Sequence, residues 1–276
     1  HGKENDMSSN TKNPLRVLVT GASEGIGGAC CRRFARDATQ TPLRIVLTTS
    51  GHKPAPVGLI AELEDIGAVV HHVAANLGSE QDCDRVVAET LAFCGGLDVL
   101  VSNAGMVSPR PLLSADAAAW DRLFAVDARA TLLLARGLHG ALKESRGAIV
   151  AIASTSGLFP HVGHGVYSPA KAALIMLVRQ MALEWASDGI RANVVAPGLI
   201  ETPLTAPIYA NAEMRAARER VVPLGRIGRS DDVAEAVFFL ASAATSYITG
   251  QIMAVDGGIA DAALLRIPGM PPAAPR

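Results

Sequence analysis

Concentrated charge is missing from this sequence, which carries 25 Lys and Arg against 26 Asp and Glu and a formal net charge of −1. Binding to a phosphate backbone needs clustered Lys and Arg, so this balance argues against nucleic acid as the main partner. Aromatic residues are also scarce, at 4% of 276 residues, whereas hydrophobic residues make up 49%. The composition therefore predicts a large aliphatic core, and the length allows an α/β fold within one domain.

Long apolar segments and metal-binding cysteine patterns are missing as well. No apolar run reaches the roughly 20 residues that span a bilayer, and the polar start lacks the apolar stretch of a signal peptide. The four cysteines are Cys30, Cys31, Cys83 and Cys94. They lack metal-ligand spacing and are interpreted as small buried hydrophobic residues in a reducing compartment. We therefore expect a cytoplasmic protein that binds neither a metal nor a membrane.

The two ends of the chain differ in composition from its middle. Residues 1–13 are polar and predict a flexible leader, in which Met7 is the expected native start and residues 1–6 an appended segment. Residues 263–276 contain four prolines and predict an irregular tail. Residues 14–262 show neither an internal repeat nor a linker, so we expect them to form one domain.

Apolar, β-branched runs alternate with helical patterns along this domain. Buried strands are predicted at about 16–20, 44–49, 68–74, 97–101, 148–152, 191–195 and 252–255. Helices are predicted at about 26–37, 116–142, 167–187 and 231–243. This alternation favours a single-domain Rossmann fold, a doubly wound parallel sheet with helices on both faces and ligands beyond the carboxyl ends of its strands. The segment of about 199–229 is expected to be a partly helical excursion near the substrate.

A glycine-rich turn joins the first strand to the first helix. It begins at Thr20, and its candidate cofactor-binding residues are Gly21, Ser23, Glu24, Gly25, Ile26 and Gly27. Glycines allow a tight turn and a close approach of the backbone to a pyrophosphate, which the N–H groups of the helix N-terminus attract. A purely structural turn is the alternative interpretation. The strand–turn–helix context favours the dinucleotide site.

Tyr167 and Lys171 lie four residues apart at the start of an apolar helix, and therefore on one face of it. A tyrosine has an ordinary pKa of about 10, and a neighbouring ammonium group lowers it by stabilising the phenolate. Ser154, just after a strand, is placed to hydrogen-bond a reacting oxygen. A Tyr–Lys pair alone is more often an incidental helix surface, but the serine and the glycine turn favour acid–base catalysis.

Over about residues 15–260, these motifs resemble the short-chain dehydrogenase/reductase family. The matching motifs, in order, are Thr20–Gly27, Asn103–Ala104–Gly105, Ser154, Tyr167 with Lys171, and Pro197–Gly198 with Thr202. The resemblance implies an enzyme that transfers hydride between a nicotinamide cofactor and a carbonyl or secondary alcohol. It also implies that Tyr167 is the acid/base, that Lys171 holds the nicotinamide ribose as well, and that Ser154 orients the substrate.

The same resemblance extends the cofactor site beyond the glycine turn. The further residues that it implies are Ser50, Asn76, Leu77, Asn103, Ala104, Gly105, Tyr167, Lys171, Pro197, Gly198, Ile200 and Thr202. Of these, Asn76 falls where the family places an acid or amide against the adenine, and Thr202 where it holds the carboxamide.

One position departs from the family pattern. The family has an asparagine in a Val–Asn pair that takes part in a proton relay to the lysine, whereas here Val126 is followed by Asp127. Asp127 is therefore a candidate catalytic residue that adds charge near Lys171 and changes the pH dependence. A tolerated substitution is the alternative.

The cofactor preference rests on two conflicting signals. The second strand ends in Leu47–Lys53, LTTSGHK, without the acid that bonds an NAD ribose, and Lys53 suits a 2′-phosphate. Glu24, in contrast, stands where NADP-preferring members often carry a base, and it would repel that phosphate. We expect NADP or NAD as the cofactor. We favour NADP because no change of conformation replaces the missing acid, whereas an exposed Glu24 side chain can rotate away from the phosphate.

The substrate is expected to be an apolar or uncharged carbonyl or alcohol, because Met106, Phe159–Val162 and the excursion are mainly apolar. His161 and His164 are interpreted as solvated loop residues. A 3-oxoacyl-(carrier protein) reductase is the alternative, since Gly225–Arg229 is similar. Ser145, beside Arg146, and Asp188 weaken it, because they stand where such enzymes tend to carry basic residues for an acidic carrier.

Two other function classes remain open from the sequence. One is a catalytically idle cofactor-binding protein on the same fold, which only Asp127 supports. The other is an isomerase or lyase that uses its nicotinamide transiently. By resemblance to the family we expect a homotetramer, and the apolar helices of about 116–142 and 167–187 are consistent with subunit packing.

Overall fold

The computed structural model describes residues 13–37, 41–52 and 54–262 of the chain. A seven-stranded sheet forms the centre, and every adjacent pair of its strands is parallel. Its strands are β1 (Leu15–Val19), β2 (Leu43–Thr49), β3 (Val69–Ala74), β4 (Val99–Ser102), β5 (Ala148–Ile152), β6 (Arg191–Pro197) and β9 (Ile252–Val255). The strand order is β3-β2-β1-β4-β5-β6-β9. This arrangement confirms the predicted doubly wound parallel sheet.

Helices cover both faces of the sheet. The helices are α1 (Gly25–Arg36), α2 (Val57–Asp65), α3 (Glu80–Cys94), α4 (Ala117–Phe124), α5 (Ala130–Gly137), α6 (His139–Ser145), α7 (Tyr167–Glu184), α8 (Ala206–Tyr209), α9 (Ala212–Val221) and α10 (Ser230–Ala241). One large hydrophobic core contains side chains of α1, α2 and α10, a second contains side chains of α3, α5, α6 and α7, and a smaller cluster joins α4 to α7. None of the described helices is long and apolar enough to cross a membrane.

The strands contribute side chains alternately to the two cores. Val17 and Val19 of β1 pack with α1 and α10, whereas Leu18 between them packs on the opposite face. All three side chains are fully buried. Because successive strand residues point to opposite faces, only an apolar run without alternation can bury both sides of the sheet. This is why the strands were recognisable in the sequence.

The stretch predicted as one helix over about 116–142 differs in the structure. It divides into α4, a π-helical segment (Ala125–Arg129), α5 and α6. The helical prediction for this stretch is confirmed, but its divisions were not foreseen, because an apolar 3.6-residue pattern continues through a π-helical turn and does not show the break. Helices α2 and α3 were not predicted, although α3 begins at a Ser79 cap and ends at Gly95 in the left-handed conformation.

The excursion before α10 combines short strands and helices. Strands β7 (Ile200–Glu201) and β8 (Gly228–Arg229) pair with each other, and α8 and α9 lie between them in the chain. Arg215 of α9 forms an ion pair with Glu201 of β7, which ties the helix to this two-stranded sheet, and residues of the excursion line the cleft at the carboxyl ends of the main strands. The excursion therefore covers the carboxyl ends of the strands.

The strand order reverses between β1 and β4, and a hydrogen-bonded pair of turns closes that point. The buried Thr20 hydroxyl accepts the backbone N–H groups of Asn103 and Ala104, both at 2.9 Å. The Asn103 amide donates in return to the carbonyls of Thr20 and Gly21, at 2.9 and 3.0 Å. Ligands of open α/β sheets bind in the crevice at such a reversal.

Candidate active site

A large cleft opens along the carboxyl ends of the strands, with a volume of about 1500 Å³. This exceeds the roughly 300–1,000 Å³ of a pocket for one small ligand, so the cleft has room for a dinucleotide and a substrate together. Sequence-predicted residues lining it are Gly21, Ser23, Glu24, Gly25, Ile26, Ser50, Asn76, Leu77, Asn103, Ala104, Gly105, Asp127, Ser154, Tyr167, Lys171, Pro197, Gly198, Ile200 and Thr202. Gly27 is the predicted site residue that does not line it.

The glycine turn has a backbone that only glycine adopts easily. Gly21 and Gly25 have φ values of +65° and +59°, and a Cβ on Gly21 would lie 2.8 Å from the Ala104 Cα atom. Gly27 packs behind the turn, where a Cβ would lie 2.6 Å from the Asn103 amide nitrogen. Gly21 and Gly27 therefore hold the turn against the loop after β4, whereas Gly25 lies nearest to Thr202 and Pro203.

The N-terminus of α1 is open toward the cleft. The Glu24 side chain makes no capping hydrogen bond to the helix, and the first turn of α1 contains no acidic residue. The first N–H groups of an α-helix have no partner within the helix and favour an anion. Glycine backbone and helix terminus together fit the pyrophosphate of a dinucleotide.

A buried ion pair lies deeper in the cleft. The Lys171 ammonium is 2.8 Å from Asp127 Oδ1 and donates to the Ile152 carbonyl at 3.2 Å. Asp127 is 1% exposed and Lys171 3% exposed, although both touch the cleft. The backbone N–H of Met106 lies 3.3 Å from both carboxylate oxygens of Asp127. The carboxylate is therefore held by a lysine and by a loop N–H.

The backbone of Gly105 lies close to this ion pair. A Cβ on Gly105 would lie 2.6 Å from Asp127 Oδ1 and 3.0 Å from the Lys171 ammonium. The glycine after Asn103–Ala104 is therefore required by the space that the two charged groups occupy.

The charge of Lys171 follows from opposing effects. Burial lowers the pKa of Lys171, but the Asp127 carboxylate and the nearby Tyr167 raise it by more, so that the pKa lies above its ordinary value. Lys171 therefore remains an ammonium group at neutral pH despite being buried.

Tyr167 and Ser154 reach the same part of the cleft from different elements. Tyr167 is the first residue of α7, and its ring centroid lies 5.7 Å from the Lys171 ammonium one turn later. Ser154 follows β5 in an extended conformation, and its hydroxyl accepts the N–H of Ser156 at 3.1 Å. That bond directs the Ser154 oxygen while leaving its hydrogen available to another acceptor.

The far end of the cleft suits an adenosine. Asn76 accepts the backbone N–H of Gly78 at 3.1 Å, and Leu77 is buried beside it. Val126, from the π-helical segment, lies on the other side of this loop. Ser50, after β2, is exposed at the cleft wall, whereas Lys53 lies outside the described residues.

Sequence reasoning missed several lining residues. They include Thr48, His52, Arg122, Arg129, Leu199, Ile208, Tyr209, Arg218, Ile259 and Ala260. The segment 199–229 was expected to contribute, but nothing in its pattern separates Arg218 from Arg215 or Arg220. Only the placement of α9 over the cleft distinguishes them.

Comparisons with known proteins give a consistent result. The family profile described as Enoyl-(Acyl carrier protein) reductase matches residues 21–260. Glucose 1-dehydrogenase of Gluconobacter oxydans is 36% identical, over 88% of this chain and 91% of that protein. The 3-oxoacyl-[acyl-carrier-protein] reductase of Aquifex aeolicus is 34% identical, over 88% and 96%.

Solved structures agree. One from Agrobacterium tumefaciens, described as a proposed 2-deoxy-D-gluconate 3-dehydrogenase with bound NADP, has a TM-score of 0.79 at 28% identity. It covers 91% of this chain and 98% of its own. The chain therefore belongs to the short-chain dehydrogenase/reductase family. It is an NAD(P)-dependent oxidoreductase that acts on CH–OH or C=O groups of a small molecule.

The buried ion pair leads to a stability prediction. Asp127→Ala leaves the Lys171 charge buried without its carboxylate, and we expect the free energy of unfolding to fall by about 3–5 kcal/mol at pH 7. The double variant Asp127→Ala/Lys171→Met removes both charges and should recover most of this loss. Urea unfolding of the two variants and the native chain measures both effects.

The stability that Asp127→Ala loses should also depend on pH, and in one direction. Because the folded-state pKa of Lys171 is raised, the contribution of the pair is complete below the ordinary value of 10.5 and is lost as pH rises through the folded value. A loss for Asp127→Ala below about 1 kcal/mol at pH 7, the range of exposed pairs, would contradict a stabilising ion pair.

Proposed function

We propose that Tyr167 is the general acid and base, that Lys171 places a positive charge beside it and holds the nicotinamide ribose, and that Ser154 orients the reacting oxygen. The observation that carries this proposal is the Lys171 ammonium, buried and charged, 5.7 Å from the Tyr167 ring in the cleft that the glycine turn borders. A bound nicotinamide supplies or accepts the hydride. Tyr167 gives a proton to the carbonyl oxygen in reduction and removes it from the alcohol in oxidation.

Asp127 has a defined part in this proposal. Its carboxylate keeps Lys171 protonated, which preserves the positive charge that the Tyr167 phenolate needs. The same carboxylate also brings a negative charge near the phenolate and offsets part of the stabilisation. We therefore propose Asp127 as a residue that sets the pH range of catalysis and acts through Lys171.

Removal of the Tyr167 hydroxyl tests the assignment directly. Tyr167→Phe should lower kcat by at least about 100-fold, the usual contribution of a general acid–base group, while NADPH binding stays within threefold. Tyr247→Phe is the matched control, because that side chain is fully exposed and away from the cleft. Steady-state rates on a carbonyl panel and nucleotide fluorescence provide the two measurements.

The outcomes separate the competing function classes. An idle cofactor-binding protein would bind NADPH tightly and turn over no carbonyl, and Tyr167→Phe would change nothing. An isomerase or lyase would form product without a net change in nicotinamide absorbance. Either result would overturn the acid–base assignment.

We propose that the enzyme prefers NADP. Thr48 and Thr49 end β2, and Ser50 and His52 follow them at the cleft wall. The described residues of that segment include no carboxylate to bond a ribose 2′-hydroxyl, whereas the Ser50 hydroxyl can donate to a 2′-phosphate. Glu24 lies in the same cleft and opposes this preference by its charge.

A carboxylate placed at the end of β2 tests the cofactor proposal. Ser50→Asp should lower kcat/KM for NADPH at least tenfold by repelling the 2′-phosphate, and should raise kcat/KM for NADH by bonding the ribose. Ser50→Asn is the control of equal size without the charge. A native enzyme that uses NADH as well as NADPH would contradict the preference for NADP.

We also propose a cytoplasmic homotetramer. Exposed apolar side chains on helices support subunit packing, including Trp120 at 45%, Met176 at 58% and Leu183 at 79% exposed. The four cysteines are buried and unpaired, which suits a reducing compartment. Light scattering after gel filtration should give the mass of four chains, and a monomer would contradict the assembly.

A further inference from the structure

The charges lining the cleft are distributed unevenly. Its acidic residues are Glu24 at the glycine turn, Asp121 on α4 and Asp127 beside Lys171. Apolar side chains line the end bordered by the excursion, namely Phe159, Leu204 and Ile208, which are 50, 68 and 37% exposed. Among the described residues, no carboxylate lines this end of the cleft, which we call the substrate end. Arg218 brings a positive charge to it.

Arg218 differs from its neighbours on α9. Its guanidinium lies 5.6 Å from the ring centroid of the buried Tyr209, and no described residue gives it a counter-charge. Arg215 also packs on Tyr209, at 5.5 Å, but forms ion pairs with Glu201 and with Glu219 and does not line the cleft. One arginine thus anchors the helix, and the other brings an unpaired cation into the substrate end.

Two histidines add hydrogen-bonding capacity on the loop before α7. His161 and His164 stack with ring centroids 3.6 Å apart, and both line the cleft. The Nδ1 atom of His161 lies 3.0 Å from the Ser156 hydroxyl. If that nitrogen accepts the hydroxyl hydrogen, Nε2 carries the ring proton and can donate to a ligand.

The surroundings of His161 favour its neutral form. Burial, His164 and the Arg218 guanidinium lower the pKa of His161, in that order. His161 on the loop before α7 and Arg218 on α9 line the same cleft. A ligand anion between them would contact a fixed guanidinium and a donor imidazole.

We propose that the substrate is an oxo- or hydroxy-acid with an apolar body, whose carboxylate binds Arg218 with His161 while the reacting oxygen lies at Tyr167. An arginine fork matches a carboxylate geometrically, and charge-assisted hydrogen bonds are about twice as strong as neutral ones. The apolar walls of the cleft fit the body of such a substrate, and the unpaired guanidinium fits a carboxylate at the end of that body. This inference rests on the proposed function, because it identifies the substrate of the same site.

Binding of unreactive carboxylates and their matching amides tests the proposal without turnover. The probes are cyclohexanecarboxylate, benzoate and hexanoate with their primary amides, titrated by calorimetry into the enzyme saturated with NADPH or, where NADPH does not bind, NADH. In at least one pair the carboxylate should bind at least tenfold tighter than its amide. Arg218→Met should bring that ratio to within about twofold of one, and Arg218→Lys should retain part of it.

Arg220→Met is the matched control on the same helix, because Arg220 is exposed and does not line the cleft. It should leave the ratio unchanged. Equal affinity of acid and amide in all three pairs, no binding of any carboxylate, or a preference that survives Arg218→Met would overturn the carboxylate site. Because these titrations need no hydride transfer, they remain decisive even if Tyr167→Phe shows the catalytic assignment to be wrong.

Steady-state kinetics of Arg218→Met provide a second test of the carboxylate site. With 4-oxopentanoate and 4-oxocyclohexanecarboxylate, Arg218→Met should raise KM for the acid at least tenfold and leave the methyl ester unaffected. A fall of kcat for acid and ester alike would instead indicate a merely structural role of Arg218.

Discussion

The ion pair between Lys171 and Asp127 joins four parts of the structure at one buried point. Lys171 comes from α7, Asp127 from the π-helical segment, and their further partners are the carbonyl of Ile152 at the end of β5 and the N–H of Met106 after β4. A buried charge is tolerated only with a partner and satisfied hydrogen bonds. The loops that border the cleft must therefore keep their positions for both charges to remain paired.

The π-helical segment is the local means by which this pair forms. An extra residue in the helical turn displaces the following residues around the axis relative to a regular α-helix. Asp127 lies in the middle of the segment, buried against Lys171, whereas Val126 faces the opposite end of the cleft near Gly78. One helical irregularity thus places neighbouring residues toward the two halves of the ligand site.

The two turns at the reversal of strand order perform the corresponding task for the cofactor. Thr20 bonds the loop after β4 through two backbone N–H groups, and Asn103 bonds back to the glycine turn. These contacts lie at the base of the cleft, at the carboxyl ends of the strands. The proposed carboxylate at Arg218 would orient a substrate from the end opposite the glycine turn.

The sequence alone determined the parallel sheet and most of the cleft. Unbroken apolar strands can be buried only between two layers of helices, and residues that follow such strands meet at one edge of the sheet. Glycines, Ser154, Tyr167 and Lys171 were therefore recognisable from their places after strands or at a helix start. Helix α3 was missed although Ser79 and Gly95 signal its ends, because its apolar pattern is weak.

Only the tertiary structure decided which charges are paired. Asp127 and Lys171 are 44 positions apart, and their contact depends on a π-helical turn that no residue pattern announces. Arg215 and Arg218 have similar sequence surroundings, yet one meets Glu201 and the other faces the cleft. Pairing of charges depends on distances between separate elements, and local sequence preferences do not set those distances.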